Sequence, residues 1–375
     1  MKFLYSNNSL SIRPTTADVS LKNLSHNYKI IRKYVKKNTK IVSVVKSNAY
    51  GHGMIQCALT LKKLGTDYLG VGSIEEGICL RKNGINIPIL VLGSVYPFSS
   101  FSYIDEYKLI PTIASLDIAK RFSSYCRKKE KTQPLHIKVD TGMGRIGMSV
   151  SSAYNYINRI AKLPFLKIEG VYTHLADADT DTSLTNNQIN SFDVLYKNLG
   201  HLFIKHFHTA NSSGLFNNPN SEYNMVRPGL ALYGLFKTSK VPNQFKPVLS
   251  LKSKIVFLKK MPKNTGISYG HIYKTYKRSV IATVPIGYAD GYNRLLSNIG
   301  EAIVRGRKVP LVGRICMDMC MFDVTNIKDI KVGDEIILIG KSGKQEITVQ
   351  NIANQTNTIP YEITCRLSTR IPRVY

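Results

Sequence analysis

The chain has 375 residues, 43% of them apolar, with six cysteines, no tryptophan and a formal net charge of +28. That apolar share supports a sizeable core and excludes a disordered chain, and the length suits two domains or one large barrel with an extension. The charge is scattered through short clusters such as RKYVKKNTK, RKKEK and FLKKMPK, without a basic tail, RGG tract or zinc-finger spacing. It reads as a lysine-rich surface, so no nucleic-acid partner is expected.

The opening segment, MKFLYSNNSL, lacks the apolar core and small-residue cleavage site of a signal peptide. No stretch approaches the roughly 20 apolar residues needed to cross a bilayer. Cys57, Cys79, Cys126, Cys316, Cys320 and Cys365 form no C-x-x-C pair and no metal-ligand spacing, so they read as free thiols. A cytoplasmic protein with no membrane contact and no metal is expected.

Leu21, Leu24, Tyr28, Ile31 and Val35 recur in steps of three and four, which predicts an amphipathic helix over 21–36. Strand-like apolar runs follow: KIVSVV (40–45), YLGVGS (68–73), PILVLGS (88–94), LIPTIAS (109–115), LHIKVD (135–140), IEGVYTH (168–174), LFIKHFHTA (202–210) and MVRPGLALYG (225–234). Most gaps hold one helix, as in MIQCALTLKKLG and SAYNYINRIAKL. Eight such units predict a (β/α)8 barrel; a doubly wound sheet, with five or six strands, is the alternative. Past Pro242 and Pro247 the pattern changes to strands separated by Gly, Asn and Asp turns, which predicts a mainly antiparallel β-domain.

Residues able to do chemistry fall at the C-terminal ends of the predicted barrel strands, where such barrels build their sites. Lys46 follows the first strand in VVKSNAYGHG, with Tyr50 four residues on. A lysine at a strand end is well placed to condense with a carbonyl cofactor, although it also reads as a charge reaching back to water. Lys138, Asp140 and Arg145 lie in HIKVDTGMGRIGM, His174 in VYTHLADAD, Asn211 and Ser212 in HTANSSG, and Arg227 and Gly229 in MVRPGLALYGL. Singly, His174 reads as a core histidine and Asp140 as a turn cap, while Arg227 reads equally as a structural ion pair or a site residue. Standing at the ends of four strands, they read together as a site. Ser212 and Gly229 also meet the expectation of a phosphate site after strands seven and eight.

Gly142, Gly144 and Gly147 spell the dinucleotide fingerprint G-x-G-x-x-G, with Glu169 as the nearest downstream acid. The motif sits at the fifth strand rather than the opening one and encloses Arg145, which speaks against that reading. In the β-domain, GISYGH holds Tyr269, PIGYADGYNR holds Tyr288, Asp290 and Arg294, and GRICMDM holds Arg314, Cys316, Met317 and Asp318. Tyr361 lies in IPYEITCRL near the end. With 22 tyrosines in the chain, packing is the plain alternative for these aromatics.

From about residue 13 onward, VVKSNAYGHG, KVDTGMGRIGM, YTHLADAD, HTANSSG, RPGLALYGL, SYG, GYADGYNR, GRICMDM and PYEITCRL, in this order, resemble alanine racemases. The resemblance implies a pyridoxal 5'-phosphate (PLP) enzyme that interconverts L-alanine and D-alanine. It implies a PLP-binding barrel over 1–242 and a β-domain over 243–375, with the first strand, about 16–21, joining the β-domain. It also implies a head-to-tail homodimer in which each active site borrows residues from the partner's β-domain.

Racemisation removes a proton from one face of the α-carbon and returns one to the other, which calls for two bases. The resemblance implies Lys46 on one face and Tyr269 of the partner subunit on the other. Lysine and tyrosine side chains ordinarily titrate near 10, so a positive neighbourhood is expected to make them usable at neutral pH. Arg227 is expected to face the pyridine nitrogen, oriented by His174. An arginine keeps its proton, which leaves the ring nitrogen unprotonated and limits side reactions; an aspartate would do the opposite. Tyr50, Ser212, Tyr361 and the backbone of Gly229 and Leu230, beside Asn211, are expected to hold the phosphate.

Arg145 is expected to reach the cofactor's phenolic oxygen and the substrate carboxylate. Lys138 matches a lysine often carbamylated in the family, a change that would fix Arg145. Met317 is expected to offer its backbone N–H to the substrate carboxylate, with Cys316 and Asp318 shaping the site and Asp318 near Tyr288 at the entrance. D-Alanine for peptidoglycan is the usual family role. Departures are Ser47 in place of the commoner Ala, an opening strand without the usual Trp and acidic pattern, and a more basic surface.

The competing readings are a broad-specificity or serine racemase, a fold-type III amino-acid decarboxylase and a non-catalytic PLP-binding protein. GRICMDM and SYGH resemble the racemase versions of the β-domain loops, which sets the decarboxylase lower. The β-domain bearing Tyr269 argues against the PLP carrier, which resembles the barrel alone.

Overall fold

The structure is a computed structural model that describes residues 12–240 and 244–375. The opening ten residues and the predicted domain boundary at 242–243 lie outside the described residues. The chain divides into two compact units. One takes Leu24–Ala49 and Met54–Lys246; the other takes the described residues up to Asn23, Tyr50–Gly53 and Pro247–Tyr375.

The first unit is a parallel barrel of eight strands: Lys40–Val44, Tyr68–Val71, Ile89–Val91, Ile110–Ile113, Gln133–Asp140, Leu166–Tyr172, His206–His208 and Met225–Val226. Each of the first seven pairs in parallel with its neighbour, and the eighth returns to pair with the first, Met225 opposite Lys40. Between strands seven and eight the seam is held by Arg227 N–H to Ala210 O at 2.9 Å and Phe207 N–H to Asn224 Oδ1 at 2.8 Å. Strands covered on both faces read as continuous apolar runs, and Ile41, Val42, Ile89, Leu90, Val91 and Ile137 are wholly buried. Ser73, Ser115, Ser149 and Asp181 cap the helices that return between strands, each side chain accepting a first-turn N–H.

Two predicted strands are shorter than their apolar runs. The run over 202–210 contributes only His206–His208, because Phe203 stands in solvent and the Ile204 N–H turns back to Leu202 O. The run over 225–234 contributes Met225–Val226; Pro228 has no N–H to donate, although its O accepts the Val44 N–H at 3.0 Å, and Leu230–Tyr233 forms a 3-10 turn.

The second unit is mainly antiparallel. Its largest sheet runs in the order Arg307–Pro310, Glu301–Val304, Glu335–Ser342, Leu249–Lys254, Thr16–Val19 and Arg373–Val374, with Gln345–Ile347 also on Glu335–Ser342. Thr16–Val19 pairs antiparallel with Leu249–Lys254 and parallel with Arg373–Val374. It ends before Leu21, which opens the helix Leu21–Tyr34, and the Ser20 hydroxyl accepts the Asn23 N–H. Phe257–Met261, Ser279–Val284 and Cys320–Asp323 form a second sheet. Among the described residues, no helix is long and apolar enough to cross a membrane, and no cluster of His, Cys, Asp and Glu side chains is arranged to hold a metal ion.

Candidate active site

Past the first barrel strand the chain enters a left-handed turn. Ser47, Asn48, Ala49 and Tyr50 have φ of 53°, 54°, 55° and 53°. None is glycine, and apart from Asn48, whose short polar side chain tolerates this region, each such residue costs about 1–2 kcal/mol. Specific bonds hold the turn: Ser47 N–H to Glu76 Oε1 at 2.6 Å, Ala49 N–H to Val45 O at 2.8 Å and Met54 N–H to Asn48 Oδ1 at 2.8 Å. Glu76 Oε2 also accepts the Gly72 N–H at 2.7 Å. The Lys46 stem passes over Gly72, where a Cβ would lie 3.4 Å from Lys46 Cβ. Strain held in place by surrounding structure is a mark of functional sites, and here it lies directly after Lys46.

Arg227 is buried inside the barrel. Its Nη1 donates to His208 Nδ1 at 2.7 Å and His208 O at 3.0 Å, and its Nη2 to Thr173 O at 2.7 Å and Thr209 O at 2.9 Å. Among the described residues, none of these partners is a carboxylate. Burial pushes the guanidinium down to about 10, still above neutrality, so it stays charged. The predicted orienting imidazole was that of His174; the ring bonded to Arg227 is His208. The reason is strand adjacency: His208 ends the seventh strand, across the seam from Arg227, whereas His174 lies two residues past the end of the sixth.

Tyr172 lies under this group, 5.0 Å from the Arg227 guanidinium and 4.5 Å from Lys138 Nζ, and its hydroxyl bonds Thr112 at 2.8 Å. Burial, then Arg227 and Arg145, holds the Lys138 amine well below the usual lysine range. His174 is also held well below its ordinary value, by burial and then by Arg227, Lys138, Arg145 and Lys46. One imidazole thus feels basic side chains from three different strand ends, Arg227, Arg145, Lys138 and Lys46, so the barrel residues converge on a site suited to an anion.

Asp140 serves the loop after the fifth strand. Its Oδ1 accepts Gly142, Met143 and Gly144 N–H at 2.9, 2.8 and 3.1 Å, and its Oδ2 the Arg145 N–H at 3.0 Å. Burial would raise this carboxyl, but the four donors hold it below its ordinary value. The G-x-G-x-x-G motif is therefore no dinucleotide cradle, because its amides are taken up by an internal carboxylate. A Cβ on Gly147 would lie 2.6 Å from Asp140 N, so glycine is needed for the close return of the chain.

Ser212 Oγ accepts the Gly229 N–H at 3.0 Å and the Ala231 N–H at 3.1 Å, which joins the loops after strands seven and eight and leaves its O–H to donate. Asn211 caps the helix Ser212–Asn217, its Oδ1 accepting Gly214 N–H at 2.8 Å, and Leu230 opens the 3-10 turn.

The β-rich unit holds the other predicted residues. Tyr50 and Tyr361 meet edge to face at 6.4 Å. Tyr361 rides on the helix Pro360–Cys365, and Gly51 passes so near that a Cβ would lie 2.0 Å from Thr364 O. Tyr269 is 68% exposed in a tight turn between Ser268 and Gly270, whose φ values are 62° and 67°. The Ser268 hydroxyl donates to Arg314 O at 2.6 Å and lies 3.5 Å from Cys316 Sγ. Cys316 O and Met317 O each accept an N–H, from Tyr288 and Ala289, at 3.1 Å. Asp318 pairs with Arg370 at 2.6 Å. Arg370 also approaches Asp290, which is wholly buried and takes two bonds of 2.8 Å from Arg13. Glu76, His208, Tyr172, Arg13 and Arg370 were not singled out from the sequence. Of these, His208 and Tyr172 left a signal, as the first residues of HTANSSG and YTHLADAD.

Two family descriptions match the chain: alanine racemase, N-terminal domain, over residues 19–237, and alanine racemase, C-terminal domain, over 248–375. The chain is 45% identical over 368 residues to an alanine racemase of Halothermothrix orenii, covering 97% of each chain. It is 42% identical to one of Clostridium tetani, covering 97% of this chain and 96% of the relative. Among solved structures, an alanine racemase of Clostridium difficile 630 superposes with a TM-score of 0.91 at 38% identity, covering 96% of this chain and 95% of that one. That of Bartonella henselae with covalently bound pyridoxal phosphate gives 0.87 at 30% identity, covering 96% and 99%.

Proposed function

The chain belongs to the alanine racemase family, and we propose that it is a PLP-dependent isomerase interconverting L-alanine and D-alanine with Lys46 and Tyr269 of the partner subunit as its two bases. Bound PLP supplies the electron-withdrawing group that acidifies the amino acid's α-proton. The barrel residues fit that cofactor by the chemistry of their donors. Lys46 provides the amine that holds it, Ser212 O–H with the Gly229 and Leu230 backbone takes the phosphate beside Asn211, and Arg227 with His174 takes the ring. Tyr50 and Tyr361 supply two further phenols for the phosphate.

Arg227 carries the reading. A charged guanidinium held by three carbonyls and a neutral imidazole will donate and will not surrender its proton, so it does not protonate a ring nitrogen. This favours racemisation over decarboxylation, which gains from a protonated ring. Arg145 and the Met317 N–H bind the substrate carboxylate, with Cys316, Asp318 and Tyr288 around them. Lys138, its amine held below the usual lysine range by burial and by Arg227, can in its unprotonated form add to carbon dioxide with loss of a proton, and the resulting carbamate anchors Arg145.

The homodimer, the cytoplasmic location and a role in supplying D-alanine for peptidoglycan follow from the same family reading. The test is chiral analysis of alanine after incubation of the protein with PLP and L-alanine, beside Lys46→Ala. Equal D- and L-alanine from the wild type alone supports the proposal. No D-alanine overturns it, and parallel runs with L-serine, L-lysine and L-arginine then identify a different racemase or a decarboxylase.

A further inference from the structure

His208 and His136 stand in line behind Arg227, where no reacting group is placed. Arg227 Nη1 lies 2.7 Å from His208 Nδ1, and His208 Nε2 lies 3.0 Å from His136 Nδ1. A guanidinium has five donors and no acceptor. The first contact is a hydrogen bond only if His208 Nδ1 presents a bare lone pair. A ring with a bare Nδ1 is neutral and carries its proton on Nε2. That proton points at His136 Nδ1, which must accept it, so His136 is neutral too, with its own proton on Nε2. One arginine thereby dictates the tautomer of two rings in series.

The fold makes a slot for the second ring. Pairing between Gln133–Asp140 and Leu166–Tyr172 slips between Leu135 and His136, which sets Gly170 opposite His136. A Cβ on Gly170 would lie 2.5 Å from His136 Nδ1 and Cε1, closer than any side chain tolerates. Tyr172 stacks on His208 at 4.7 Å with the rings 5° apart, which fixes the His208 plane. Both histidines are wholly buried. Burial and the Arg227 charge both oppose their protonation.

We propose that His136 is a positioning residue of the racemase site: by accepting the His208 Nε2–H it locks the tautomer that holds Arg227 as a fixed donor. The role of Arg227 toward the cofactor rests on the function proposed above, whereas the order of protons along Arg227, His208 and His136 does not. Leucine at 136 would leave the His208 Nε2–H buried without an acceptor, so the ring would turn or change tautomer and the guanidinium would lose its imidazole partner. Asparagine would offer a carbonyl oxygen near the place of Nδ1.

Nitrogen-15 spectra of the histidine-labelled holoenzyme read the tautomers directly, with His208→Asn and His136→Leu assigning the two rings. The expected result is two neutral Nε2–H rings at neutral pH. His136→Leu is expected to shift or broaden the His208 signals and lower kcat about tenfold, the usual loss for an outer hydrogen-bond partner. Its KM for alanine is expected to stay within about twofold, and His136→Asn to recover most of kcat. A wild-type His208 that is charged or protonated on Nδ1 overturns the proposal, and this needs no variant to fold. An unchanged kcat in His136→Leu overturns the positioning role. The expected tautomers in a protein that fails to racemise alanine support the relay and count against the function alone.

Discussion

Glu76 binds the N–H of Ser47 at 2.6 Å, and this ties the turn after Lys46 to the helix of the next βα unit. The same carboxylate takes the Gly72 N–H, so one side chain satisfies two amides around the lysine. Glu76→Ala is expected to destabilise the protein by about 1–3 kcal/mol, the cost of leaving such donors unpaired beside a strained turn. Glu76→Gln, which keeps one acceptor, is expected to lose less. Urea unfolding measures both, and an unchanged midpoint for the alanine variant would show that Glu76 does not hold the turn.

Ser212 joins the two loops at the predicted phosphate site through the Gly229 and Ala231 amides. Ser212→Ala removes their acceptor and one hydroxyl donor. PLP affinity is expected to fall about tenfold, or about 1.4 kcal/mol. Absorbance titration of the apoprotein with PLP reads this, and an unchanged affinity would move the phosphate site away from Ser212.

The proposal that each site is shared between two subunits has an arithmetic consequence. Lys46→Ala and Tyr269→Ala are each expected to be inactive, but a hybrid dimer of the two restores one complete site. Random mixing of subunits is expected to recover about a quarter of wild-type activity, because half the dimers are hybrids with one of two sites intact. No recovery in hybrids verified by mass spectrometry would place both bases in one chain.

His136, His174 and His208 make the fold sensitive to acid. His136 is pushed down to about 3 by burial first, and the other two also fall well below 6.5. Below 6.5 the unfolded chain binds protons that the folded rings refuse, so stability falls as pH drops from about 6.5 toward 3 and is complete above that window. Between pH 7.5 and 5.0 each ring that stays neutral is expected to remove about 2 kcal/mol. Urea unfolding at the two pH values measures the loss, and a flat profile would mean that these rings are protonated in the folded state.

The barrel was legible because its signal is local. Runs such as KIVSVV and LHIKVD are apolar throughout, since strands covered on both faces have no polar side, and helices fill the gaps between them. The same rule overreached at 202–205 and 230–234, where apolar side chains occupy turns. Lys46, His174, Ser212 and Arg227 can be proposed from the sequence because barrel strands end where sites are built, which ties candidate function to position along the chain.

What the sequence by itself determined was the succession of elements and the chemical types at their ends, both of which depend on neighbours within a few residues. Only the tertiary structure decided the partners. Glu76 reaches Ser47 across 29 residues, His136 reaches His208 across 72, and Arg13 reaches Asp290 across 277. No spacing encodes such pairs, because they form where separate strands and loops meet. The left-handed turn at 47–50 is hidden for the same reason: Ser, Ala and Tyr do not favour it locally, Asn48 alone tolerates it well, and the bond from the distant Glu76 helps to hold it there.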